Sequence, residues 1–454
     1  MIQFLMNGRI HTENLPADTT VLQYLRRDAG RCGTKEGCAS GDCGACTVVL
    51  AEKQGEQLQY RTVNACLTFM PAVHGKQLIT VEDLKHRGEL HHVQQAMVDN
   101  HASQCGFCTP GFVMSLFAME KNKPVFTVEG VQETLSGNLC RCTGYRPIMD
   151  AAKAICEAPQ ADQFDADARQ TLEKLAAISA TEQPVTIDEL AGRYLACPDS
   201  RLVAGGTDLA LEVTQRYQRL PKLISLSHIP ELKAITLTGQ AIHIGAAAPL
   251  SACMPFLHEE FPAFGELLER FASQQIRNQG TFGGNIANAS PIGDGGPVLL
   301  ALGASLLLRR GAEQRELPLD QFFLGYRKTA LQPGEFIEQI RIPRNTPAAR
   351  QLRVYKVSKR LEDDISAVCA ALHIEVLNGV VVHARVAFGG MAEVAKRASG
   401  CEAQLLGQPW QTATVERACQ ALELDFTPIS DFRASREYRM QVAKNLLRRC
   451  HIEM

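Results

Sequence analysis

Eight cysteines gathered in two sets between residues 38 and 142 constrain this chain more than any other feature. The first set is Cys38-x4-Cys43-x2-Cys46, with Cys66 twenty positions on; the second is Cys105-x2-Cys108 with Cys140-x-Cys142. Disulfide scaffolds are short secreted chains in which cysteine exceeds about 8–10% of residues. Here 16 cysteines are spread over 454 residues, and the start, Met1-Ile2-Gln3-Phe4-Leu5-Met6-Asn7-Gly8, lacks a basic segment and turns polar at once, so no signal peptide is expected. Reduced thiols at short fixed spacings point instead to metal or redox chemistry.

The first spacing is that of plant-type 2Fe–2S ligation, with three ligands from one loop and a fourth from a separate element. Gly37, Gly41 and Gly44 let such a loop wrap a cluster with its amides aimed at sulfur, and those hydrogen bonds tune the reduction potential. Zinc is the competitor. The second set, read alone, admits zinc or either common cluster type. Its pairs sit at expected helix ends, before Thr109-Pro110-Gly111 and after a stop at Gly137, where free backbone dipoles face a charged group. Beside the first quartet, a second 2Fe–2S cluster is the favoured reading. The remaining cysteines (Cys32, Cys156, Cys197, Cys253, Cys369, Cys401, Cys419 and Cys450) are scattered and read as buried hydrophobes.

Length and patterning set the rest. A chain of 454 residues calls for two to four cores. A net charge of −2 gives no reason to expect a nucleic-acid surface. The most apolar run, Pro297 to Leu308, is interrupted by Gly303 and Ser305 and is shorter than the ~20 residues that span a bilayer, so it reads as buried rather than as a membrane helix. Asn7-Gly8 predicts a hairpin between Ile2–Met6 and Arg9–His11. Thr19 or Thr20 can cap a short helix bearing Val21, Leu22 and Leu25, and Thr47–Leu50 is β-branched strand. Helices are expected from about Leu90, over Val128–Leu135, and over Ile148–Cys156. Glu157 to Gln183 has a weak apolar pattern and reads as a linker. Beyond it come strands at Leu202–Ala204 and Ile242–Ile244 with a helix at Phe264–Phe271, then strands at 370–376 and 380–387 and a helix at Ser435–Arg449. This is an α+β reading.

Glu36-Gly37-Cys38, Gly41-Asp42-Cys43-Gly44-Ala45-Cys46-Thr47, Gln104-Cys105-Gly106-Phe107-Cys108-Thr109-Pro110-Gly111 and Gly137-Asn138-Leu139-Cys140-Arg141-Cys142-Thr143-Gly144-Tyr145 together resemble the iron–sulfur portion of the xanthine dehydrogenase / molybdenum hydroxylase family. The segments Leu202-Val203-Ala204-Gly205-Gly206-Thr207-Asp208, Gly283-Gly284-Asn285-Ile286 through Asp294, and Lys356 through Asp363-Asp364-Ile365 are similar to its flavin domain. The resemblance implies a multidomain α+β chain: a β-grasp 2Fe–2S ferredoxin domain (1–86), a four-helix 2Fe–2S domain (87–157), a linker (158–183), an α+β FAD-binding domain of vanillyl-alcohol-oxidase-like type (184–345) and a C-terminal CO-dehydrogenase-flavoprotein-like domain (346–454). By position, it implies cluster ligands Cys38, Cys43, Cys46 and Cys66, then Cys105, Cys108, Cys140 and Cys142.

For the flavin the residues alone say little. There is no GxGxxG and no Walker A sequence, only two glycine-containing turns whose amides could approach a pyrophosphate. The FAD contacts implied by the resemblance are Leu202, Val203, Ala204, Gly205, Gly206, Thr207, Asp208, Leu209, Phe271, Thr281, Phe282, Gly283, Gly284, Asn285, Asp294, Ile337 and Lys356. Gly206 stands where some relatives carry Asn. In the family the stretch matching Val357–Ala367 lies beside the flavin and influences nicotinamide access; Glu362-Asp363-Asp364 reads equally as a solvated acidic turn. Relatives of full length continue into a molybdopterin portion that this sequence does not contain, so the expected partner is a large molybdopterin-binding subunit. The arrangement resembles the small subunit of bacterial xanthine dehydrogenases, cytoplasmic heterotetramers of two small and two large chains with NAD+ as acceptor. The alternative is the same subunit of an aldehyde or N-heterocycle hydroxylase with a different acceptor. No catalytic side chain is expected here; electron carriage belongs to the cofactors.

Overall fold

The computed structural model describes residues 1–122, 125–180, 185–344 and 351–454. The last residues of the expected linker (181–183), the first of the expected FAD domain (184) and the expected boundary at 345/346 lie outside the described residues. The chain divides into two units, one of residues 1–184, 200–228 and 273–280, the other of residues 185–199, 229–272 and 281–454.

The first unit opens with the expected hairpin, β1 (Ile2–Met6) and β2 (Arg9–Glu13), turned by Asn7 and Gly8 with φ of 49° and 70°. Strands β3 (Thr47–Gln54), β4 (Gln57–Asn64) and β5 (Gln77–Ile79) complete a sheet of order β2-β1-β5-β3-β4, in which β1 and β5 run parallel. Thr20 caps the helix Val21–Gln23 by a capping box with Gln23, and a π-helical turn Tyr24–Asp28 continues it.

Strand β3 is buried on both faces. Val48 and Leu50 join Phe4, Leu25 and Met70 in one core, while Val49 and Ala51 join Phe112, Phe117 and Ile148 in another. The period of two along a strand makes this division. The second core belongs to the helices His92–Asp99, Thr109–Lys121, Val128–Leu135 and Arg146–Glu157, as expected for a four-helix domain.

The stretch read as a linker is folded. Its described part forms the helices Gln163–Ala166 and Ala168–Ala180, and Leu175 and Ile178 close over Leu5, the β1 residue that faces away from the first core. Thr171, Leu175 and Ile178 form a narrow buried stripe, too thin to stand out in a sequence rich in Ala, Gln and Glu. Asp162 ties the segment down further: its carboxylate takes bonds from Lys121 Nζ (2.6 Å) and lies 2.7 Å from His91 Nε2.

In the second unit, an antiparallel sheet runs Glu313–Pro318, Ser305–Arg310, Glu335–Pro343, Ala241–Gly245, Ile235–Leu237, covered by helices including Leu250–Glu260, Pro262–Glu269 and Gly295–Ala301. The apolar run from Pro297 is that last helix and the start of Ser305–Arg310, with Val298, Leu299 and Ala301 fully enclosed. A four-stranded sheet (Leu352–Val357, Val368–Leu377, Val380–Gly389, Lys396–Arg397) follows, backed by helices Ser399–Leu405, Thr412–Asp425 and Arg436–Glu453. Of the scattered cysteines, Cys253, Cys369, Cys401, Cys419 and Cys450 are buried and Cys156 half-buried; Cys32 and Cys197 are exposed, because each sits in a polar loop rather than on an apolar face.

Candidate electron-transfer site

Both cysteine quartets lie in the first unit. Residues 37–46 form an irregular loop whose backbone enters the left-handed region at Ala39, Gly41 and Gly44. This bends three cysteines inward. The Cys43 and Ser40 amides donate to Cys38 Sγ at 3.3 and 3.4 Å, and the Cys38 amide to Cys43 Sγ at 3.3 Å. The fourth thiol, Cys66, sits just after β4 with its sulfur 3.3 Å from that of Cys46. Hydrogen bonding by the Cys43 thiol, against burial, pulls Cys38 down to about 4, and the same bond pushes Cys43 up; Cys66 is pushed up by Cys46 and by burial.

The second quartet also pairs its thiols, Cys108 with Cys140 and Cys105 with Cys142. Cys108 stands immediately before the helix Thr109–Lys121, and Cys140 and Cys142 occupy the turn leading to Arg146–Glu157. Burial and the Cys140 contact push Cys108 up to about 12. Burial opposes a low value at Cys140, yet the Thr143 hydroxyl (3.2 Å) and amide (3.5 Å) hold it below the usual thiol range. Each set therefore brings four sulfurs together, with backbone amides of Cys38, Ser40, Cys43 and Thr143 aimed at them. That donor set fits an iron–sulfur cluster, whose binding displaces thiol protons.

The quartets are directly joined. The Leu139 amide donates to the Cys43 carbonyl at 3.0 Å. Gly44 makes this approach possible: a Cβ there would fall 2.1 Å from the Gly137 carbonyl oxygen. Sequence reasoning missed what holds the join. Asn138, Ser115 and Gln275 are fully enclosed around it, and Gln215 donates to the Cys38 and Ala39 carbonyls at 2.9 Å each. Asn138 belongs to the Gly137–Tyr145 motif that carries the family resemblance, but nothing in that motif signals its contacts with Gly44 and Thr47. Gln275 and Gln215 carried no local signal.

The residues expected around FAD are distributed over both units. In the first, strand Arg201–Val203 pairs in parallel with Leu223–Ser225, and the turn to helix Ala210–Thr214 holds Ala204 to Leu209. Among the described residues, the backbone amides of Gly205, Gly206 and Thr207 make no hydrogen bond, so three donors stand together without Cβ obstruction at two of them. Such a cluster of amides suits a pyrophosphate. In the second unit, Phe271 follows helix Pro262–Glu269, Thr281 caps helix Phe282–Ala287 through its hydroxyl, and Ile337 is buried in Glu335–Pro343. Asp294 and Lys356 meet in a closed interior: Lys356 Nζ lies 2.5 Å from Asp294 Oδ2 and 3.1 Å from Ser366 Oγ, and Ser366 donates to Asp294 Oδ1 at 2.6 Å. Ser366 is a member the sequence did not single out. Glu362-Asp363-Asp364 is a structured turn. Asp364 accepts from the amides of Arg360 and Ile365, which outweigh burial and hold it below the usual carboxylate range, and Arg270 donates to the carbonyls of Leu361 and Lys356 on either side.

Family profiles match in chain order: a 2Fe-2S iron-sulfur cluster binding domain (4–71), a 2Fe-2S binding domain (80–153), the FAD binding domain in molybdopterin dehydrogenase (176–345) and the CO dehydrogenase flavoprotein C-terminal domain (353–454). The chain belongs to the molybdenum hydroxylase family. It is the iron–sulfur and flavin part of such an enzyme. Xanthine dehydrogenase of Emericella nidulans is 34% identical over 94% of the chain and 36% of its own length; xanthine dehydrogenase/oxidase of Rattus norvegicus is 32% identical over 94% and 37%. The chain thus spans a little over a third of these curated relatives. Among solved structures, carbon monoxide dehydrogenase from Hydrogenophaga pseudoflava superposes with a TM-score of 0.55 at 29% identity, covering 59% of this chain and 93% of that one. Quinoline 2-oxidoreductase from Pseudomonas putida 86 does so at 0.53 and 27%, covering 60% and 94%. Among the described residues of this molybdenum hydroxylase part, no helix is long and apolar enough to cross a membrane.

Proposed function

We propose that this chain carries electrons released by hypoxanthine or xanthine oxidation at the molybdopterin centre of a large partner subunit, through two 2Fe–2S clusters to FAD and on to NAD+. The observation that carries the reading is the join between the quartets, the Leu139 amide on the Cys43 carbonyl one residue before Cys140. One-electron carriers need a short fixed separation, and this bond supplies a rigid one. When bound, the clusters carry electrons singly and the flavin converts them to the pairwise transfer that a nicotinamide accepts. The chain's own residues hold and orient. Cys38, Cys43, Cys46 and Cys66 grip one iron pair, and Cys105, Cys108, Cys140 and Cys142 the other. The Ser40 and Thr143 donors soften charge on sulfur. The amides at 205–207 receive pyrophosphate, and Asp294 and Lys356 contribute to the flavin site.

The xanthine substrate rests on the names of the curated relatives, xanthine dehydrogenases matched along 94% of this chain, and NAD+ is the acceptor that the family resemblance implies. A cytoplasmic heterotetramer of two such chains with two large ones belongs to the same proposal. The quinoline 2-oxidoreductase neighbour favours a second reading, N-heterocycle or aldehyde oxidation with another acceptor. Iron and flavin quantitation of the purified chain, then assay of its complex with a molybdopterin subunit, tests both. About four irons and one FAD per chain, with xanthine-dependent NAD+ reduction, are expected. A colourless zinc protein would overturn the relay; turnover of an aldehyde or heterocycle without NAD+ reduction would favour the second reading.

A further inference from the structure

Gln275 lies in the short helix Gln274–Arg277, and none of its surface reaches solvent. The family profile that covers it is the FAD-binding one, yet the residue is embedded between the two cysteine quartets of the first unit. Its Nε2 is 3.0 Å from Asn138 Oδ1, 3.3 Å from Thr47 Oγ1 and 3.3 Å from Ser115 Oγ. Each of these partners belongs to a different cysteine-bearing segment: Thr47 follows Cys46, Asn138 precedes Cys140 by two, and Ser115 stands on the helix that begins after Cys108.

The knot is closed by its own members. Asn138 Nδ2 donates to the Gly44 carbonyl at 3.1 Å and to Thr47 Oγ1 at 3.2 Å, and Ser115 Oγ donates to Asn138 Oδ1 at 2.7 Å. Gln275 Oε1, by contrast, has no hydrogen-bond partner among the described residues. It points at Gly137, where a Cβ would come within 2.3 Å. An apolar side chain would fill this position without leaving a buried carbonyl unpaired, so the carboxamide is kept here for its Nε2 contacts.

We infer that Gln275 is a positioning residue for electron passage between the two quartets: its carboxamide locks Asn138 and Thr47, and so holds the Leu139–Cys43 join in register. The inference rests on the relay proposed above. The step it serves moves one electron from one iron pair to the other; no bond breaks and no proton or group is carried.

The test uses the full chain loaded with iron, sulfide and FAD, as wild type, Gln275→Met and Gln275→Glu. Both replacements keep the length of the side chain and remove its neutral amide donor. Three quantities are read: iron and flavin content, the magnetic interaction between the two centres in the electron paramagnetic resonance spectrum after dithionite reduction, and the rate at which electrons redistribute between the centres after partial reduction. Both variants are expected to keep about four irons per chain and their FAD, to show an altered interaction, and to redistribute electrons about tenfold more slowly, the low end of the cost that residues supporting metal ligands have for activity. An unchanged interaction and rate in a fully loaded variant would overturn the inference. Loss of iron in both variants would overturn it too, since Gln275 would then be needed to hold metal. If one variant fails to fold, the other decides. A wild-type chain lacking two interacting iron centres would sink the relay itself, and this inference with it.

Discussion

Lys356 Nζ and Asp294 Oδ2 stand 2.5 Å apart with side chains only 2% and 4% exposed. A buried pair of this kind adds little net stability, but removing one partner strands the other charge and costs about 3–5 kcal/mol. Among the described residues, Lys356→Met leaves the Asp294 carboxylate with only the Ser366 hydroxyl. The expected outcome is a lower urea midpoint for the second unit together with loss of FAD during gel filtration. Retention of FAD at wild-type stoichiometry would remove Lys356 from the flavin site.

Cys43→Ser removes one sulfur from the first quartet but leaves the backbone carbonyl that Leu139 binds. Iron should fall from about four to about two per chain, with FAD kept, if each quartet holds two irons as proposed. Cys108→Ser should do the same for the other centre. Two intact cluster signals in either variant would show the ligand assignment to be mistaken.

Leu175 and Ile178, 1% and 2% exposed, lie over Leu5. Truncation of a buried leucine costs about 2–5 kcal/mol, so Leu175→Ala should release the helix Ala168–Ala180 from β1. Limited proteolysis with mass spectrometry is the check, new cleavage appearing between residues 158 and 180. An unchanged digestion pattern would mean that the helix does not depend on this contact.

Asp162 is held well below the usual carboxylate range: burial works against this, but His91 and Lys121 outweigh it. A depressed folded-state value means that its stabilisation is complete above the ordinary carboxylate value of about 3.9 and drains away as pH falls below it. Acid unfolding of the wild type should therefore begin near pH 4 and steepen downward. In Asp162→Asn the part of the pH dependence due to this group should vanish, leaving a flatter and lower curve. Parallel curves for the two proteins would show that the group is not linked to folding.

What could be read from the sequence was what lies close together along it. The hairpin at Asn7-Gly8, the Thr20 cap and the first cysteine loop depend on residues a few positions apart, and all appear in the structure. The helix Ala168–Ala180 escaped because three buried positions among alanines make a faint stripe. The division of the flavin-type segments also left no local trace. Residues 200–228 and 273–280 pack with the cysteine domains because Leu220, Ala210 and Ile276 join the β-sheet core there, and no periodicity within those segments names that partner. Gln275 is the extreme case, since its nearest oxygen partner lies 137 positions away.

Strand β3 is a party wall: Val48 and Leu50 face one core, Val49 and Ala51 the other. Slipping it by a single residue would exchange the two sets and spoil both rooms at once. Neither cysteine module can then be traded for a distant cousin's without refitting its neighbour. Engineers wishing to transplant this wiring into another flavoprotein must move both modules as one block, together with the segments 200–228 and 273–280 that share their core.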